Sequence, residues 1–93
     1  MMTKKEIANN ISRRVGLQQQ PVKRVIDELL IELREALAKG ERIELRNFGV
    51  FKVKIVKAKT GRNPQTGESV FLPAKRKATF KAGKLLKNLL QGP

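Results

Sequence analysis

The chain has 93 residues, with 21 Lys or Arg against 8 Asp or Glu for a formal net charge of +13, and it contains four Phe but no Trp, Tyr, His or Cys. That length supports one small domain, the missing Cys and His remove disulfides, thiolate metal sites and the commonest general base, and eight scattered carboxylates are a poor basis for an enzyme. No run approaches about eighteen apolar residues, and the start Met-Met-Thr-Lys-Lys-Glu lacks an apolar leader core, so the expectation is a cytoplasmic protein with no membrane contact, no cofactor and no metal.

In chain order, Thr3-Lys4-Lys5-Glu6 has capping-box spacing, in which the Thr hydroxyl and the Glu carboxylate satisfy free backbone N–H groups. Ile7, Ala8, Ile11 and Val15 then share a helical face, and Gly16 can supply a left-handed end. A second helix is predicted from Val22, Val25, Ile26, Leu29, Leu30, Leu33, Ala36 and Leu37, which keep the three-to-four spacing until Lys39-Gly40. Pro21 fits only in its first turn, where a missing N–H costs little. From 41 to 59 the period becomes two. Ile43 and Leu45 alternate with Arg42, Glu44 and Arg46, Asn47-Phe48-Gly49 reads as a turn, and Phe51, Val53 and Ile55 share a strand face. Val70-Phe71-Leu72 reads as a returning third strand, followed by Pro73 and the basic run Lys75-Arg76-Lys77. A short last helix carries Leu85, Leu86, Leu89 and Leu90 on one side. The expected class is α+β, in the order α-α-β-β-β-α. The apolar stripe of the second helix is wide for so small a chain, which predicts a dimer burying those faces jointly.

Charge is distributed unevenly along this order. Residues 1–51 hold ten basic and seven acidic residues, whereas residues 52–87 hold eleven basic residues and one acid, Glu68. Such a field opposes compaction unless a polyanion is the usual partner, and nucleic acid fits best. The strand of Phe51, Val53 and Ile55 continues in the same parity as Lys57 and Lys59, as a strand would on leaving a protein core. A two-stranded ribbon projecting from there is marginal alone in water. At its tip, Asn63-Pro64 suits a type I turn and Gly67 offers a positive φ. A rigid apolar ring on a cationic ribbon is the equipment of a minor-groove wedge.

Gly61-Arg62-Asn63-Pro64-Gln65-Thr66-Gly67 resembles the arm signature of the bacterial HU and integration host factor family of DNA-bending proteins. Asn47-Phe48-Gly49-Val50-Phe51 is similar to the family's Gly-Phe-Gly-x-Phe turn, and Phe80-Lys81-Ala82-Gly83-Lys84 resembles its Phe-Lys-Pro-Gly-Lys approach to the last helix. The resemblance runs from about residue 3 to residue 89. It implies an intertwined dimer: two N-terminal helices, a three-stranded antiparallel sheet with an extended β-ribbon arm, and a short C-terminal helix. Residues 1–40 would then form a helical dimerisation body, 41–82 a β-saddle with its arm at about 56–73, and 83–93 the last helix and tail. Three positions depart from the family pattern. Ala82 replaces a proline, Asn47 replaces a glycine that Asn can mimic in left-handed backbone, and Gln18-Gln19-Gln20-Pro21 lacks the usual Ser/Thr cap. Arg46 looks more like the integration host factor subunits than typical HU.

By the same resemblance, Pro64 is the intercalating wedge, with Lys57, Lys59, Arg62, Asn63 and Gln65 as arm contacts. Arg46, Lys75, Arg76, Lys77, Lys81, Lys84 and Lys4 would serve saddle and flanks, with Lys5 beside Lys4. Lys84 and Lys4 each stand in the first turn of a helix, where a cation opposes the helix dipole unless an anion is bound. Val25, Ile26, Leu29, Leu30, Leu33, Phe48, Phe51 and Phe80 would form the dimer core. The implied partner is double-stranded DNA, with bent, nicked or flexible duplex preferred. The chain would pair with a second copy or with a paralogue, in the nucleoid. Three rivals are weaker. An RNA-binding ribosomal protein shares the size and charge, a membrane-active protein needs its cations opposite an apolar helix face, and a small nuclease needs clustered carboxylates.

Overall fold

A computed structural model describes residues 1–92. Its elements are α1 (Lys4–Val15), α2 (Gln19–Ala38), β1 (Ile43–Leu45), β2 (Gly49–Val56), β3 (Lys59–Arg62), β4 (Ser69–Leu72), β5 (Lys75–Ala82) and α3 (Lys84–Gln91). Two compact units divide the chain at Glu35 and Ala36.

In the first unit, Thr3 caps α1 by accepting a 3.2 Å hydrogen bond from the Glu6 N–H, so the hydroxyl half of the capping box forms. Gly16, at φ 72°, ends the helix and returns its N–H to the Ser12 carbonyl. Pro21 is the third residue of α2, within its first turn. The two helices bury little apolar surface. Ala8 at 3% and Val22 at 5% exposure are the buried hydrophobic residues among those described, while Val25 is 67% and Leu29 50% exposed.

The second unit begins with the end of α2. The N–H groups of Gly40 and Glu41 bond the carbonyls of Leu37 and Ala36, a Schellman ending with Gly40 in left-handed backbone at φ 81°. Strands β1, β2 and β5 form an antiparallel sheet in the order β1-β2-β5, and β3 and β4 form a separate two-stranded ribbon. The β1–β2 turn needs left-handed backbone, which Asn47 supplies at φ 67°, and Phe48 N–H closes it onto the Leu45 carbonyl. Phe51 and Phe80 face each other across β2 and β5 with ring centroids 4.7 Å apart, and Phe48 lies 5.3 Å from Phe80. Gly49 is buried beside them, and a Cβ there would stand 2.5 Å from both the Lys81 carbonyl and the Phe80 ring.

The α+β class, the three-stranded sheet and the ribbon arm agree with the sequence reading; the strand assignment does not. Val70–Leu72 returns along β3 alone, and the third strand of the sheet is β5, which includes the basic run Lys75-Arg76-Lys77. Its alternation was masked because Ala78 and Ala82, which share a face with Phe80, are weak apolar signals.

Candidate nucleic-acid interface

The pairing of β2 with β5 sorts their side chains by charge. On one face stand Lys52 and Lys54 of β2 with their opposites Thr79 and Lys77, flanked by Val50 opposite Lys81 and Val56 opposite Lys75. All five lysines are exposed. Lys54 and Lys77 oppose each other directly, an arrangement that destabilises a sheet unless an anion lies over it. Two ion pairs occur among the described residues, Lys4 with Asp27 and Arg34 with Glu35, so none of the eleven cations in 52–87 is neutralised by one.

The ribbon extends this charge. Val56 pairs with Lys75 and Lys59 with Leu72, so the register carries across residues 57–58 and 73–74 one for one, without a bulge. No ladder pairs form at those four positions. Pro73, without an N–H, cannot donate there. The interruption leaves a shallow concavity lined by Lys57, Lys59, Lys75 and Lys77 with Val56, Leu72 and Pro73. Beyond it, β3 ends at Arg62 and the tip closes on itself. The Asn63 side chain accepts from the Gln65 N–H at 2.9 Å, the Asn63 carbonyl accepts from Gly67 N–H at 2.7 Å, and the Asn63 N–H donates to Glu68 at 2.8 Å. Gly67 takes φ 74°, and Pro64 is exposed. Asn63 therefore folds the tip, while Gln65 contributes its backbone to it. The proline ring is presented outward.

A second basic cluster surrounds the start of α3. Gly83 caps it without a side chain, and Lys84 is its first residue. Arg42, Lys81, Lys84 and Lys87 line one concavity there with Val50 and Gly83. Arg46 lies on the neighbouring β1–β2 turn, lining a recess that also includes Lys84. A helix start with no side-chain cap on its N–H groups and four cations make this an anion-attracting region.

Two predicted contacts stand elsewhere. Arg76 alternates onto the face opposite Lys75 and Lys77, and its guanidinium donates to the Leu37 and Ala38 carbonyls at 3.2 and 2.9 Å. It thereby ties β5 to the C-terminal end of α2. Lys4 is ion-paired with Asp27 at 2.7 Å in the helical unit. Conversely, Lys52 and Lys54 join the lysine face, and Arg42 and Lys87 the α3 cluster, although none was singled out from the sequence. Their signal is the parity of β2 and the helical spacing of Lys84 and Lys87, readable once β5 and α3 are placed.

The residues expected at a dimer core remain substantially open. Val25, Leu29 and Leu30 of α2 are exposed, and Ile26 and Leu33 half-buried. Phe48 and Phe80 are exposed, and Phe51 is half-buried. In the helical unit an apolar groove runs along Ile11, Leu17, Val22, Val25, Ile26 and Leu29.

Comparison with known proteins agrees with this geometry. A family model described as bacterial DNA-binding protein matches residues 2–91. Integration host factor subunit alpha of Bordetella pertussis is 39% identical over 92 residues, covering 99% of this chain and 81% of that protein. DNA-binding protein HU of Thermotoga maritima is 40% identical over 86 residues, covering 92% of this chain and 96% of that one. Among solved structures, an HU–DNA cocrystal structure from Anabaena superposes with a TM-score of 0.90 at 32% identity, over 99% of this chain and all of that one. HU from Thermotoga maritima superposes at 0.67 and 28% identity, over 96% and 98% of the two chains. By fold, by arm and by sequence along nearly its whole length, the chain belongs to the bacterial DNA-binding protein family that includes HU and the integration host factor subunits.

Proposed function

We propose that this protein is a non-enzymatic architectural protein that binds double-stranded DNA as a dimer and bends it. The lysine face of β2 and β5, continued by a basic ribbon that presents Pro64 at its tip, carries this reading. Phosphates lie over Lys52, Lys54, Lys75, Lys77 and Lys81, and over the cluster around Lys84. The two arms of the dimer enter the minor groove through Lys57, Lys59 and Arg62. Each Pro64 ring wedges between base pairs and kinks the duplex. Minor-groove contacts read a degenerate pattern, so sequence preference is weak. Bending a site of 20–30 base pairs costs on the order of 1–6 kcal/mol by elastic estimates, so duplex that is already bent, nicked or flexible binds better. Compaction of the nucleoid follows from many such events.

The dimer rests on the open apolar surfaces. A chain whose buried hydrophobic residues, among those described, are Ala8 and Val22 has too little core to stand alone. A second copy laid on Val25, Leu29 and Leu30, and on Phe48 and Phe80, supplies the missing burial. A paralogue with the same apolar faces would serve equally, and mass measurement on the purified chain distinguishes the two. Arg76 is reassigned from DNA contact to anchoring β5 on α2, and Lys4 reaches phosphate only by leaving Asp27.

The test is energy transfer between dyes on the two ends of a short duplex. The native protein should bring the ends together, and Pro64→Ala should bind while bending less. Binding by both with no change in end-to-end distance would leave a DNA coat and overturn the bending mechanism. Preferential capture of structured RNA over duplex DNA in direct competition would overturn the reading as a whole.

A further inference from the structure

One residue of the ribbon is out of keeping with its surroundings. Phe71 of β4 is 69% exposed, opposite Thr60 of β3. Alternation places Arg62 and Ser69 on its side of the paired ribbon, and places Val70 and Leu72 on the other side with Gly61 and Lys59. Leu72 at least has Gly61 beneath it, where a Cβ would stand 3.6 Å from its Cδ1. Phe71 has no apolar side chain on its own side of the β3–β4 pairing. Its rung lies two ladder positions from Arg62–Ser69, the last before the tip, on an arm whose only acid is Glu68.

A large ring held in the open within a cationic surface excludes most occupants. A purely apolar partner would have to desolvate Arg62, on the same side of the ribbon, without compensation. An acidic partner gains from that cation but has no use for the ring unless it also offers a flat apolar face. Nucleic acid carries both, since each base has a π-face and each nucleotide a negative charge. In an intact duplex those faces are stacked on one another; at a gap, bulge or flap they are free.

We propose that Phe71 is a stacking platform for an unstacked base of the DNA strand held by the arm, with Arg62, on the same side of the ribbon, on an adjacent phosphate. This rests on the arm binding DNA, as proposed above, and adds to it a second apolar contact with a different substrate. Pro64 opens a stacked step, whereas Phe71 receives a base that is already free. The ring adds to the affinity for a duplex with an unpaired nucleotide a contribution that an intact duplex does not receive.

The chain contains no Trp and no Tyr, so Phe71→Trp places a single indole reporter at this position. The protein is titrated with a 5′-labelled intact duplex and with the same duplex carrying a two-nucleotide bulge, reading label anisotropy and indole emission together. The expected result is quenching of the indole by the bulged duplex and little change with the intact one. In parallel, Phe71→Ser should lose at least about fivefold in affinity for the bulged duplex and less than about twofold for the intact one, the range that loss of one base–aromatic stack implies. Equal losses on both duplexes would place the ring on sugar and overturn the base assignment. Indole emission that ignores DNA while anisotropy reports binding would take Phe71 off the interface and leave the DNA-binding reading standing. An emission change that tracks protein concentration without DNA would assign the ring to a protein contact instead. Absence of any anisotropy change with native protein would instead defeat the DNA-binding reading itself.

Discussion

The helical unit and the ribbon 59–72 both leave much of their surface without an intramolecular partner, but the two surfaces differ in kind. In the helices the open surface is aliphatic and acids offset most of the cations, so the missing partner is another apolar face. On the lysine face of β2 and β5 and along the ribbon, the open surface is largely cationic and the acids Glu44 and Glu68 offset little of it, so the missing partner there is a polyanion. Two kinds of incompleteness in one short chain separate assembly from binding. The forces differ accordingly: apolar burial is indifferent to moderate salt, whereas phosphate contact is governed by it.

The largest expected effect exploits that difference. If the basic face makes about six to ten phosphate contacts, DNA affinity should fall roughly 10³- to 10⁵-fold between 50 and 200 mM salt, while the sedimenting mass of the free protein stays at twice the chain mass. A flat salt response, or a mass that falls with it, would erase the distinction between the two surfaces. Next in size is Leu29→Glu on the helical face. Placing an uncompensated carboxylate in a joint apolar interface should cost at least about 3 kcal/mol per copy, read as loss of the dimer and of a cooperative melt. A variant that remains a stable dimer would move the interface away from α2.

A third change probes the aromatic centre of the sheet. Gly49→Ala sets a methyl group 2.5 Å from the Phe80 ring and the Lys81 carbonyl, so the melting midpoint should drop by the equivalent of about 1–3 kcal/mol. No loss would mean that β2 and β5 separate more readily than the packing of Phe51 on Phe80 implies. The smallest effects sharpen the comparison within three residues of β5. Arg76→Gln should lose about 0.5–1.5 kcal/mol of stability with its bonds to α2, and leave the salt slope of DNA binding unchanged. Lys77→Gln should do the reverse. Relief of its repulsion with Lys54 should raise stability by about 0.2–1 kcal/mol, and the salt slope should shrink by about 1. Denaturant titration and salt-dependent anisotropy on the two variants decide the matter, and identical behaviour would refute the assignment of opposite faces.

Much of this was legible in the sequence because it is local. Thr3, Gly16 and Pro21 mark helix ends by rules that operate within one turn, and the α2 stripe declares its open face through spacing alone. The arm tip is equally local, since Asn63, Pro64 and Gly67 fold it with bonds that span no more than five residues. What stayed hidden depends on pairing between distant segments. β5 has only Ala78, Phe80 and Ala82 on its apolar side, too weak an alternation to stand out beside three consecutive cations. Until β5 is placed, nothing separates Arg76 from Lys75 and Lys77, or gathers Lys52 and Lys54 with them. The Lys4–Asp27 pair likewise joins two helices across 23 positions of sequence, which the first-turn placement of Lys4 did not reveal.

The unpaired stretch at 57–58 and 73–74 has a geometric consequence. Because the strands on either side stay in one register, the position of each arm residue along the ribbon is fixed by its count from the sheet. From the interruption to the tip, β3 runs four residues of strand, about 13 Å at the usual rise. The arm is thus a ruler. In a dimer, the spacing between two kinks in bound DNA would be measured out by protein covalent geometry, and base sequence would adjust it only to the extent that the duplex itself resists.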